Sequence, residues 1–199
     1  MDSNTIPSAR MILRLDRYTP SEFSLPAGCS IRRYRPGDES GWARLENEAG
    51  DFPSPEAAET YFRNTFLTEP ERMAEDGFFL LCGGEIAGSC TAWHSVRAGK
   101  EVGLLHWLVV AEKYRGRGFA RALCTAVMNR FAETGRMPVY LHTQPQSWKA
   151  ILLYVSMGFR LQMTDTFAGR ENEYAAAMDI LETVLDPEQM RLLVQASDP

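Results

Sequence analysis

VGLLHWLVV, residues 102–110, is apolar on both faces of an extended chain, so it asks for a buried, central strand. A helical stretch follows over residues 117–134. There Phe119, Leu123, Val127 and Phe131 recur every four residues, with Ala120, Cys124 and Met128 beside them. Gly135 supplies the stop. MPVYLHTQ, residues 137–144, then reads as a second strand. A strand, a helix and a strand in that order need a crossover, and the two strands then lie parallel. The chain therefore reads as a mixed α and β protein with at least one parallel pair of strands.

The remaining segments fit that class. MILRLDRY near the N-terminus alternates weakly and adds a strand candidate, and CSIRRY, residues 29–34, reads as another. Asp38 is placed to cap a helix through Trp42, Leu45 and Ala49, and Ser54-Pro55 opens a further one to about Phe66. FFLLC, Gly83-Gly84 and EIAGSCTAWH form a hairpin pattern with a two-glycine turn. Residues 147–157 read as a helix ended by Gly158. FRLQMTDTF and EYAAAMDIL read as two more strands around a polar turn, and Asp186-Pro187-Glu188-Gln189 opens a C-terminal helix with a capping box. The expected organisation is an N-terminal arm over 1–27, a domain over 28–182 and a C-terminal helix over 183–199.

Composition narrows the partners. The net charge of −5 argues against a broad nucleic-acid face, while residues 113–121 still form a local basic patch. No apolar run approaches the ~18 residues of a membrane span, and the N-terminus lacks the apolar core of a signal peptide. Cys29, Cys82, Cys90 and Cys124 include no Cys-x-x-Cys pair, so the expectation is four reduced, mostly buried thiols and a cytoplasmic protein. His94, His106 and His142 lack metal-ligand spacing, so no metal is expected.

The turn between strand and helix is where the chemistry gathers. Helix N-termini carry unpaired N–H groups and partial positive charge, and glycines before one let a ligand approach the backbone. Phosphate fits that arrangement. Arg115, Arg117 and Arg121 add donors around Gly116 and Gly118. A P-loop is excluded because its Lys-Ser/Thr pair is missing. A Rossmann fingerprint fails because Arg121 stands where the third glycine belongs and no acid follows the next strand. On this turn alone, a phosphate loop and a glycine-softened structural turn both remain open.

Two motifs together go further. Arg115-Gly116-Arg117-Gly118-Phe119-Ala120 fits the pattern [QR]xxGx[GA], and SWKAILLYVSMGF places Ala150, Leu153, Tyr154, Gly158 and Phe159 about thirty residues later. In this the chain resembles the GNAT superfamily of acetyl-CoA-dependent N-acetyltransferases, closely over 102–159 and more loosely before it. It departs at Ser147, where many members carry Asn, and at Ala111-Glu112, where many carry His-Pro. The resemblance implies a GNAT-like α/β fold with a central, mixed, twisted β-sheet and helices on both faces. It implies acetyl-CoA as co-substrate, held by the backbone of Leu108, Val109 and Val110 on a bulged strand. The pyrophosphate would lie on Arg115, Gly116, Arg117, Gly118, Phe119, Ala120 and Arg121, with Ser147 and Tyr154 also at the cofactor. It implies a primary amine as acceptor, neither nucleic acid nor membrane as partner, and a homodimer as one common assembly.

The resemblance also assigns Tyr154 as the acid that protonates the leaving thiolate. The competing reading is a tyrosine that packs the core. His106 shares a face with Leu104, Leu108 and Val110 on a regular strand and is the titratable group there. In the arylalkylamine branch of the family the matching position serves the base, so His106 is either that base or a histidine that shapes the acceptor pocket. Glu46 and Glu48 are alternatives on the first helix. Trp42, Phe52, Tyr61, Phe62 and Phe66 either line an apolar acceptor pocket or pack the helices. A binder of acyl-CoA without catalysis is the other class of function the motifs allow.

Overall fold

The computed structural model describes residues 5–199. The chain is α/β and its strands are mixed, parallel and antiparallel. It divides into two compact units, Thr19–Trp93 with Leu105–Gly135, and Met1–Tyr18 with His94–Leu104 and Arg136–Pro199.

The first of these units holds strand β2 (Cys29–Arg33), helices α1 (Glu39–Ala49), α2 (Pro55–Thr65) and α3 (Pro70–Asp76), strand β3 (Gly77–Cys82) and most of β4 (Glu85–Arg97). It also holds the C-terminal half of β5 (Lys100–Val110) and helix α4 (Phe119–Thr134). β2, β3 and β4 form an antiparallel meander. Ser54 caps α2 by accepting the Ala57 N–H at 3.2 Å, as its sequence suggests. Asp38 does not cap α1. Its carboxylate instead takes both guanidinium nitrogens of Arg32 at 2.6 and 2.8 Å and the Arg35 N–H at 2.8 Å, because a charged bidentate partner outcompetes a helix N–H. Successive residues of β5 show how helices cover both of its faces. Val109 packs with Leu45 of α1, whereas Val110 and Leu123 of α4 meet over Gly88. A Cβ on Gly88 would sit 2.7 Å from the Val109 carbonyl oxygen, so only glycine lets β4 approach β5 that closely.

The cysteine expectation is corrected in part. Antiparallel register sets Cys29 opposite Cys82, with Cα atoms 4.2 Å apart, and the two form a disulfide. Sequence spacing hides the pair, since 53 residues separate its members. Cys90 and Cys124 are free and buried.

Arg130 of α4 clamps α3 by ion pairs to Asp76 at 2.8 Å and to Glu75, and it also pairs with Glu133 of its own helix. Asp76 is 3% exposed, so its charge depends on that guanidinium. Arg130→Met should therefore lower unfolding stability by about 3 kcal/mol. Urea unfolding of the variant beside wild type checks this, and a loss below about 1 kcal/mol would mean the ion pairs hold little.

The second unit contains β1 (Met11–Leu15), β6 (Val139–Thr143), α5 (Trp148–Ser156), β7 (Arg160–Gln162), α6 (Tyr174–Glu182), α7 (Pro187–Gln195) and β8 (Ser197–Asp198). β1 pairs antiparallel with β6 along its whole length and with β7 on its other side. The segment 11–15 is thus an interior strand, with Met11, Ile12 and Leu13 buried. The parallel pair expected from the crossover is present, with Gly103 against Val139 and Leu104 against Tyr140. Asp186 caps α7 in a full capping box with Gln189.

Two strand readings near the C-terminus are corrected. EYAAAMDIL is helix α6, not a strand. Three consecutive alanines favour helix, and the buried Ala177 and Leu181 have the exposed Asp179 between them, which fits a helix face, whereas a pleat would put all three on one side. In FRLQMTDTF only Arg160–Gln162 pairs as a strand. No helix among the described residues is long and apolar enough to cross a membrane.

Candidate functional site

β5 is not a regular strand. Trp107 has φ of 51°, a left-handed backbone that bulky residues rarely adopt. The kink breaks the two-residue alternation, so neighbouring side chains reach the same cluster. His106 packs on Phe66 with ring centroids 6.1 Å apart and on Trp107 at 5.6 Å. Trp107 in turn meets Trp42, Phe52 and Tyr61, each at 5.4 Å, and its indole N–H donates to the Tyr61 hydroxyl at 3.3 Å. The face expected for His106 with Leu108 and Val110 is therefore not continuous, because the kink at Trp107 reverses it.

The aromatic cluster has a core and a rim. Trp42, Phe62 and Phe66 are fully buried and hold α1 and α2 together. Phe52, Tyr61, Trp93, His106 and Trp107 are half-buried and keep a side toward solvent. Trp93 and Trp107 escape a sequence reading because each lies in an apolar strand, where an aromatic residue reads as core. The positive φ that turns Trp107 leaves no composition signal.

Beyond the kink, Leu108 is half-buried and Val109 and Val110 are buried. The Ala111 N–H bonds to the Ala87 carbonyl at 2.9 Å and so ties the end of β5 to β4. A short helical turn, Glu112–Tyr114, leads into the glycine-arginine loop. Gly116 and Gly118 have φ of 76° and 80°, and a Cβ placed on either would meet no other atom within 4 Å. These glycines are required by backbone conformation, and the space over them is clear of protein. Gly118 is the N-cap of α4, whose first turn begins with the buried Phe119 and half-buried Ala120.

The arginines differ in use. Arg115 turns its Nε back to the Val110 carbonyl at 3.1 Å, which braces the loop against the strand end. Arg117 lies over the Tyr114 ring at 5.7 Å, and Arg117 and Arg121 are both exposed at the start of the helix. The N-terminus of α4 has no side-chain cap, and the exposed Arg117 and Arg121 lie on either side of it in sequence. Such a group of donors suits a multiply charged anion.

In the other unit, Tyr154 lies on α5 and is 6% exposed, with its ring 5.9 Å from Phe159. Its carbonyl accepts the N–H groups of Met157 and Phe159, which closes the helix at Gly158. Ser147 is exposed at the head of α5 and makes no capping bond there, contrary to the capping role its position suggests. A turn of 3-10 helix, Pro145–Ser147, starts the helix in its place.

Glu46 is the group sequence reasoning undervalued. It is 1% exposed on the buried face of α1, one turn beyond Trp42. Its Oε1 receives no N–H or alcohol donor, and the partner of its carboxyl is the Asp51 carboxyl. Burial, and secondarily the neighbouring Asp51 carboxyl, holds Glu46 well above the usual carboxylate range. A charged residue on an amphipathic helix normally reads as the solvent face, so the sequence offers Glu46 only as an alternative and gives no sign of its burial.

The family model for the acetyltransferase (GNAT) family matches residues 41–159, more than half of the chain. A mycothiol acetyltransferase of Streptomyces bingchenggensis is 30% identical over 71% of this chain and 46% of its own length. Another, from Sanguibacter keddieii, is 30% identical over 84% of this chain and 56% of its own. The chain thus spans about half the length of these curated relatives. Among solved structures, a GCN5-related N-acetyltransferase from Sphaerobacter thermophilus superposes with a TM-score of 0.61 at 24% identity, over 78% of this chain and 49% of that one. The aminoglycoside N-acetyltransferase AAC(6')-Iy in complex with CoA gives 0.56 at 19% identity, over 74% of this chain and 99% of that one.

Proposed function

Since the chain belongs to the GNAT acetyltransferase family, we propose that it transfers an acetyl group from acetyl-CoA to a primary amine. The observation that carries this reading is the loop before α4. Gly116 and Gly118 hold left-handed backbone, open space lies above them, and Arg117 and Arg121 border an uncapped helix N-terminus. The pyrophosphate of acetyl-CoA fits there on the N–H groups of Arg117, Gly118, Phe119 and Ala120. Leu108, Val109 and Val110, past the kink at Trp107, offer the pantetheine arm backbone groups to pair with.

In the reaction the amine nitrogen attacks the thioester carbonyl carbon, the C–S bond breaks, and the thiolate takes a proton. A free thiol has a pKa near ~8.5 and a phenol near ~10, so a positioned Tyr154 can supply that proton. The incoming alkylammonium must lose one. At a pKa near ~10.4, only about one in a thousand is neutral at physiological pH, so a base is needed. His106, half-buried in the aromatic rim, is the residue we assign to it. The net change is acetyl-CoA plus ammonium to N-acetylamine, CoA thiol and one proton.

The test is CoA thiol release from acetyl-CoA across a panel of primary amines, read with a chromogenic thiol reagent. Amine-dependent release is expected. Acetyl-CoA binding with no release on any amine would make the chain a non-catalytic acyl-CoA binder.

A further inference from the structure

We propose that the Cys29–Cys82 disulfide is a site of reversible exchange with small thiols, attacked at Cys29, and that opening it weakens amine use while leaving acetyl-CoA binding as it was. The part about the amine rests on the acetyl-transfer reading.

The bond lies where a thiol in solution reaches one of its two members. Cys29 is half-buried, whereas Cys82 is 5% exposed. Gly28, Gly83 and Gly84 beside them are exposed, and a Cβ on any of the three would meet no atom within 4 Å. The Gly83 N–H donates to the Gly28 carbonyl at 3.0 Å, and the β2–β3 register ends at the cysteine pair. β2 has β3 as its one neighbour among the described strands. The end of an outer strand is where a sheet opens locally, and exposed disulfides are the exchangeable ones.

The bond also closes the right part of the chain. Cys29 and Cys82 are 53 residues apart, and α1, α2 and α3 all lie between them. β2 sets the head of α1. Arg32 makes its two bonds to Asp38, the Tyr34 hydroxyl donates to the Glu39 carboxylate, and the Gly37 N–H donates to that carboxylate at 2.6 Å. Trp42 follows one turn later and packs with Phe62 and Phe66 of α2 at 5.2 and 6.0 Å. A loosened β2 is thus passed to α1 and to the aromatic cluster. The glycine-arginine loop at 115–120 lies outside the closed segment, so its anion site does not depend on the bond.

In the exchange, the thiolate of a small thiol attacks Cys29 Sγ, the Cys29–Cys82 bond breaks, and Cys82 leaves as a thiolate that takes a proton. A second thiol attacks the small thiol's sulfur in the mixed disulfide and frees Cys29. The net change is protein disulfide plus two thiols to protein dithiol plus one small disulfide. The protein gains two electrons and the small thiols lose them.

The test treats the folded, full chain with millimolar glutathione and then alkylates it. Cys29 and Cys82 should become alkylated while the buried Cys90 and Cys124 stay protected, and the glutathione adduct should be found on Cys29. Reduction should raise the KM for the amine, read as acetylated product, at least about fivefold, with acetyl-CoA affinity within about twofold. Reoxidation should restore both. A Cys29→Ser/Cys82→Ser protein should behave as the reduced form and ignore glutathione. A bond that opens only in denaturant, an adduct confined to Cys82, or an equal amine KM in the two forms would each overturn the proposal. Reduction and reoxidation of wild type decide the matter even where the double variant fails to fold. If neither form acetylates any amine, the acetyl-transfer reading falls by itself. Thiol accessibility and tryptophan emission then decide the exchange, and emission unchanged on reduction would overturn it.

Discussion

A Gly118→Glu variant should bind acetyl-CoA at least about a hundredfold more weakly than wild type, a loss of about 2.7 kcal/mol. Two effects add. Gly118 has φ of 80°, so any side chain there strains the cap of α4, at about 1 kcal/mol. The Glu side chain would also project into the open space above the loop, where its charge meets the pyrophosphate. Gly118→Ala separates the two, because it keeps the strain and lacks the charge. It should lose about tenfold or less. Calorimetry reads both, and thermal unfolding confirms that each variant is folded. A Gly118→Glu protein that binds as wild type does would place the anion somewhere other than the head of α4.

Tyr154→Phe should lower kcat by about a hundredfold or more while leaving the KM for acetyl-CoA within about threefold. The ring is buried against Phe159, and phenylalanine keeps that packing, so the change isolates the hydroxyl. A general acid acts only as the C–S bond breaks, so its loss falls on kcat. A tyrosine present only to fill the core would leave kcat where it was. The measurement is steady-state thiol release with the best amine of the panel.

The sequence made some of this legible for physical reasons. The apolar run 102–110, the four-residue spacing in α4 and the capping box at Asp186 are local signals, and each element formed where it was expected. The Cys29–Cys82 pairing was not legible, because it depends on the register of β2 against β3. EYAAAMDIL misled because its apolar residues are dense enough to suit either period, and the exposure of Asp179 between the buried Ala177 and Leu181 decides for a helix. At the candidate site, the loop glycines were visible because they stand in one contiguous motif. Trp107 was not, because it depends on a backbone kink within a strand, and Glu46 was named as an alternative base without any sign that its carboxyl turns inward from the helix.

The most direct measurement is a calorimetric titration of acetyl-CoA into the wild-type protein. One site with a Kd in the micromolar range, about −8 kcal/mol, is the result this account predicts. No heat and no thermal stabilisation at acetyl-CoA concentrations of about 1 mM would contradict it, and the loop before α4 would then be a structural turn.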